Sequence, residues 1–193
     1  MDINILLYDD FEALDVFGPV EILSKVEEYE LHYYSLTGGA VKSAQNSIVM
    51  ADNIDKADRG GILMVPGGLG IREMLSNPSF ISMLKETARE ACFCLTVCTG
   101  SVLLGKTGAL DGKNATTNKK LLDMLKPINP NVNWIRKARW IADGKYYTAS
   151  GVSAGMDMTL GFIRDQYGEQ TAAAIARDIE YVWNPDSSED LFA

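Results

Sequence analysis

Short apolar runs without a polar face alternate along this chain with stretches of helical period. The run "INILLY" (3 to 8) is apolar on both sides, as a strand inside a parallel sheet must be. "DVFGPVEILSKVEEY" (15 to 29) predicts a helix from about Pro19, since proline suits a first helical turn. "ELHYYSL" (30 to 36) reads as a second strand, and "AVKSAQNSIVMA" (40 to 51) as a small hairpin turning at Gln45, Asn46 and Ser47. "GGILMVPGG" (60 to 68) is a third core strand, broken by Pro66 and two glycines. Phe80, Ile81, Leu84 and Ala88 give the segment 78 to 90 a helical spacing.

The second half repeats the scheme. "CFCLTV" (92 to 97) is a buried strand, and the helix beginning at "TGSVLLGKTGAL" ends near Gly105 to Gly108. "KKLLDML" is helical up to Pro127, "RKARWIADGKYYTAS" is two strands joined at Asp143-Gly144, and two long helices flank Gly168 before a polar tail. Strands alternating with helices imply an α/β class, a mostly parallel sheet covered on both faces.

At 193 residues, with 47% apolar and 23% charged side chains, the chain fits one domain, 1–193, whose core needs no disulfide or metal staple. A net charge of -8, from 26 acidic and 18 basic residues, opposes nucleic acid as a partner. The N-terminal apolar run is too short for a signal peptide, and no run approaches the roughly 20 residues that span a bilayer. A cytoplasmic location, no membrane partner and reduced thiols are therefore expected.

Cys98 stands directly after a buried strand and directly before a helix, at the carboxyl edge of the sheet where open α/β folds place ligands. The first N–H groups of the helix would favour its thiolate and lower the thiol pKa. Thr99 would donate its N–H to developing charge, as in nucleophile elbows, and Gly67 and Gly68 of "VPGG" could bring a second backbone donor close. An inert buried cysteine fits the same pattern, and spacing leaves both readings open. Cys92 and Cys94 lie inside the strand itself, and with no CxxC pair or nearby histidine the three cysteines make a poor metal site.

Five blocks resemble the ThiJ/PfpI family, of the class I glutamine amidotransferase-like group, and its isocyanide hydratase branch in particular. They are "LLYDDFEALDVFGPVEIL", "LMVPGG", "VCTGSVLLGKTGALDGKNATT", "GVSAGMDMTLGFI" and "IEYVWNP", in family order through almost the whole chain. The resemblance implies a flavodoxin-like three-layer sandwich with a nucleophile elbow at Cys98, a homodimer, and Asp15 as the carboxylate partner in place of the glutamate of many relatives. Asp15 would share a proton with the thiol and act as general acid. Glu12 is the competing carboxylate, and an N-cap is the plain structural alternative for Asp15. Where many relatives carry a histidine this chain has Asn118, and its one histidine, His32, lies inside a strand, so a Cys-His pair is not expected.

The implied activity is a lyase-type hydration of a small electrophilic carbon, isocyanide to N-substituted formamide, needing neither metal nor organic cofactor. A glyoxalase-like or deglycase-like enzyme and a non-catalytic redox sensor are the alternatives. Gly151 and Val152, at the start of a late helix, are candidates to line the pocket. Asp157 is expected to be structural, Arg136 and Arg139 to lie on the solvated side of a hairpin, and Trp134, Trp140 and Trp183 to be core or interface anchors.

Overall fold

The two-sided apolar runs become the middle of an eight-stranded sheet in the computed structural model, which describes residues 1–193. In chain order the sheet takes β1 (Asp2–Leu6), β2 (Glu30–Ser35), β3 (Gly39–Lys42), β4 (Ile48–Asn53), β5 (Ile62–Val65) and β6 (Phe93–Thr96). A short parallel pair, β7 (Asn114–Ala115) with β8 (Asn133–Trp134), stands apart, and the hairpin β9 (Trp140–Asp143) and β10 (Tyr146–Ala149) completes the main sheet. The spatial order is β3-β4-β2-β1-β5-β6-β10-β9. Every contact from β4 to β10 is parallel, and only the edge strands β3 and β9 run the other way. All four residues of β5, Ile62 to Val65, are buried, which explains a run with no polar face.

Seven helices cover the sheet: α1 (Ala13–Leu23), α2 (Ile71–Leu75), α3 (Pro78–Glu90), α4 (Gly100–Lys106), α5 (Leu122–Leu125), α6 (Ala154–Tyr167) and α7 (Glu169–Asp178). α1 and α7 pack on α6, while α2 and α3 pack on α4, giving one helical layer to each face. The expected three-layer, mostly parallel α/β sandwich is the observed fold. The helix predicted over residues 78 to 90 has those bounds, started by Pro78 and by the Asn77 side chain, which accepts from the Phe80 N–H.

Three expectations need correction. α1 starts at Ala13, six residues before Pro19, because Glu12 and the loop behind it are pinned to the end of β5: the Glu12 N–H donates to the Gly67 carbonyl at 2.9 Å. Pro19 therefore sits inside the helix, and Asp15 lies in its first turn. The helical segments 119 to 125 and 169 to 183 are shorter than their hydropathy suggests, shrinking to α5 and α7 where the chain turns away to form other contacts. Arg139 is not solvated. Its side chain, 12% exposed, is paired with the buried Asp157 at 2.6 Å and lies 3.8 Å from Asp190.

The tail after α7 is tied down through the same Asp157, whose Oδ1 accepts from Tyr181 Oη and the Asn184 N–H, and whose carbonyl accepts from Trp183 Nε1. Asp157 is thus structural, as expected. Trp140 is buried in the core and Trp134 is half-buried, its Nε1 donating to the Asn129 carbonyl. Arg136 is exposed beside Asp123.

Candidate active site

Chain order reverses direction at β1. The strands β2 and β4 continue to one side and β5, β6 and β10 to the other, so a crevice opens past the carboxyl ends of β1 and β5. Three loops meet there: Tyr8 to Glu12 after β1, Pro66 to Gly68 after β5, and Val97 to Thr99 after β6. The antiparallel bridge between Phe11 and Gly68 and the bond from the Gly70 N–H to the Asp10 carbonyl join the first two.

Cys98 has a φ of 56°, a left-handed conformation that a side-chain-bearing residue adopts only when the surroundings impose it. They do so through its carbonyl, which accepts from Thr117 Oγ1 at 2.8 Å and Ser101 Oγ at 3.0 Å. Close packing of α4 against β5 adds to this, since a Cβ on Gly100 would run into the Pro66 carbonyl carbon at 2.9 Å. The resulting corner turns the chain from β6 into α4 and leaves Cys98 6% exposed.

Asp15 reaches this corner from the first turn of α1. It is fully buried, and its Oδ2 accepts the Gly67 N–H at 2.8 Å, while Oδ1 is buried with no partner. Gly67 is the meeting point: a Cβ there would lie 2.6 Å from the Thr99 nitrogen, 2.7 Å from Thr99 Oγ1 and 2.9 Å from Asp15 Oδ2. Only glycine lets the three approach. The Gly68 N–H, expected to face a reacting atom, instead donates to Thr99 Oγ1 at 3.2 Å. It fixes Thr99, whose own N–H favours the charged form of the Cys98 thiol.

The electrostatics correct one expectation. Burial, and next the Asp15 charge, push the Cys98 thiol up to about 12, with Glu12 adding to the rise, although the Thr99 N–H and the Asn118 amide pull it down. Desolvation of a thiolate on a residue 6% exposed outweighs the donors of a seven-residue helix. Burial likewise lifts the Asp15 carboxyl to about 8, against the Gly67 N–H, with Glu12 adding to the rise. At pH 7 the corner therefore holds a neutral acid beside a neutral thiol. Glu12, the rival carboxylate, is half-buried at the start of α1 and accepts from Gln45 Nε2 at 2.8 Å.

Two contacts were not foreseen. Asn118 Nδ2 donates to Cys98 Sγ at 3.4 Å, so the residue that replaces the histidine of many relatives still addresses the sulfur. The Lys120 N–H holds Asn118 Oδ1 at 3.0 Å, which aims the amide nitrogen. Tyr8, buried at the end of β1, donates its hydroxyl to the Pro66 carbonyl at 2.8 Å. Burial, with Asp15 and Cys98 adding to it, raises the Tyr8 phenol well above its usual value, so it remains a donor that braces the Pro66 loop. The aromatic residue closing "INILLY" was its only trace in the sequence.

Gly151 and Val152 line a cavity of about 340 Å³ together with Asn118, whose amide is its link to the sulfur; Cys98, Asp15 and Thr99 are not among the lining residues. His32 is in β2, three strands from β6, on the order of 14 Å away at ~4.8 Å per strand, and plays no part in this corner. With Asp2 and Glu30 it forms a group whose ligand-type atoms lie within 4.8 Å of one another. Cys92 is exposed and Cys94 is buried in β6.

Residues 1–165 match the DJ-1/PfpI family. The chain belongs to that family. It is 28% identical over 187 residues to isonitrile hydratase of Pseudomonas putida, covering 96% of this chain and 80% of that protein. It is 30% identical over 186 residues to the HTH-type transcriptional regulator GbdR of Pseudomonas aeruginosa, covering 93% of this chain but 50% of the regulator. This DJ-1/PfpI chain thus spans about half the length of that relative. A ThiJ/PfpI family protein from Pseudomonas syringae has the same fold, with a TM-score of 0.86 at 23% identity over 95% of this chain and 76% of its own. No helix of this family member is long and apolar enough to cross a membrane.

Proposed function

We propose that this DJ-1/PfpI protein is a cysteine-dependent hydratase that adds water to a small electrophilic carbon, with isonitrile (isocyanide) to N-substituted formamide as the representative reaction. The observation that carries the reading is a buried carboxyl, held by Gly67 and lifted to about 8, beside a thiol that Asn118 and Thr99 address. The 28% identity to an isonitrile hydratase supports the same branch.

The chemistry uses the pair as a neutral unit. Asp15 gives its proton to the isonitrile carbon and takes the thiol proton as the Cys98 sulfur bonds to that carbon, forming a thioimidate without a free thiolate. Water then adds to the thioimidate carbon, losing a proton as the nitrogen gains one. The carbon–sulfur bond breaks, and the formamide leaves as sulfur recovers its proton. The Thr99 N–H and the Asn118 amide hold charge on sulfur during both steps, and Gly68 acts through Thr99. The expected homodimer belongs to the same proposal, with Leu14 and Phe17 of α1 leaving apolar surface exposed, and light scattering reads its mass.

The test is to mix purified protein with an aryl isonitrile and follow the formamide. Cys98→Ala and Asp15→Asn should each lose about 10³-fold or more. Absence of turnover by the unaltered protein overturns the substrate assignment, and loss of methylglyoxal without added thiol would then favour α-oxo aldehyde chemistry.

A further inference from the structure

The cavity that shares Asn118 with the Cys98 corner has more cationic than carboxylate side chains in its lining. Lys119, Lys120 and Arg139 line it, against one carboxylate, Asp190. Arg139 is already neutralised, by Asp157 at 2.6 Å and by Asp190 at 3.8 Å. Asp190 is spoken for as well: it accepts from Ser150 Oγ and from the Phe192 N–H, and its side chain is 1% exposed. One arginine against two carboxylates leaves a negative charge, and Asp190 also acts through space on Lys119. Lys119 is buried, and its ammonium donates only to neutral acceptors, Thr116 Oγ1 at 2.6 Å and the Ala138 carbonyl. Lys120 is exposed at the rim, and neither lysine is in an ion pair.

With the Asp190 charge set against Lys119, the cation left over in this lining is the exposed Lys120, which favours an anion at the rim. The remaining lining includes Leu14, Val152 and Phe192, which suit an apolar body. Asn118 ties this space to the reaction, because its amide touches the Cys98 sulfur while its Oδ1 is held by the Lys120 N–H.

We propose that this cavity selects electrophiles carrying a carboxylate, with Lys120 at the rim recognising the negative charge. The reaction this selectivity serves rests on the hydratase reading; the charge preference itself does not.

Two measurements keep those apart. The first compares kcat/KM for 4-isocyanobenzoate and its methyl ester, with an expected preference of about tenfold or more for the acid, falling towards one in Lys120→Met. The second needs no turnover: iodoacetate and iodoacetamide alkylation rates are read at each cysteine by mass spectrometry, with the exposed Cys92 as internal reference. The iodoacetate to iodoacetamide ratio at Cys98 should exceed that at Cys92 by about tenfold, and should fall in Lys120→Met and in 0.5 M salt. A Cys98 ratio equal to or below that of Cys92 overturns the proposal whatever the isonitrile result. Failure of both isonitriles with a raised alkylation ratio overturns the hydratase reading and leaves the anion site standing.

Discussion

The Gly67 N–H donates to Asp15 Oδ2 at 2.8 Å, and the other oxygen of the same carboxyl is buried without a partner. A carboxylate so placed has one donor for two oxygens, whereas a protonated carboxyl carries no charge that needs compensating. Because the folded pKa is raised from 3.8 to about 8, the stability Asp15 contributes is fully present below about pH 4 and is lost as pH rises through 8. Urea titrations should show the unaltered protein losing stability over that window relative to Asp15→Asn, by about 6 kcal/mol at most. Parallel pH profiles for the two proteins would show that Asp15 ionises normally.

Asp15→Asn should also separate thiol reactivity from catalysis. Removing a charge that raises the Cys98 thiol lowers the pH midpoint of its alkylation, while formamide production falls for want of an acid. A midpoint that stays or rises would mean that the two groups do not interact.

In Gly67→Ala the new methyl must push on Thr99 or Asp15, with nothing flexible in reach. We expect a loss of about 1–3 kcal/mol in stability and at least 100-fold in kcat/KM, measured by denaturation and initial rates. An alanine variant with full activity would contradict the three-way approach.

Asn118→Leu keeps the shape and deletes the donor to sulfur at 3.4 Å, with about tenfold lower kcat expected. Asn118→Asp adds a negative charge beside the thiol and should cost more, with the alkylation midpoint moving to higher pH. Equal activity in both variants would remove Asn118 from the reaction.

Arg139→Met strands Asp157 and frees Asp190, so the tail beyond α7 should loosen. About 3–5 kcal/mol of stability should go, with new proteolytic cuts between Asn184 and Phe192. Retained resistance to protease would show that the tail is held by other contacts.

Strand and helix order was legible because period and burial agree: β5 is apolar on every side since it is covered on both faces, and Pro78 starts its helix as proline does. The corner at Cys98 was legible from its place between a buried strand and a helix, and the family likeness pointed to Asp15. The start of α1 was not. Pro19 looks like a helix start locally, whereas a backbone bond from Glu12 to Gly67, 55 positions away in sequence, decides the matter. The thiol pKa misled for a related reason: donors at a helix start are a local feature, but burial depends on the whole fold. Arg139 and Asn118 were misjudged or passed over because their partners, Asp157 and Cys98, lie 18 and 20 positions away.

The left-handed backbone at Cys98 also constrains how this gene can drift. A copy released from selection for chemistry would keep the hydrogen bonds from Thr117 and Ser101 that impose a φ of 56°, and most side chains are uncomfortable there. Glycine or asparagine would relieve the corner at once, whereas valine or isoleucine would unsettle the fold. Descendants that have abandoned the reaction should therefore carry Gly or Asn at this spot, a signature of lost activity readable from sequence.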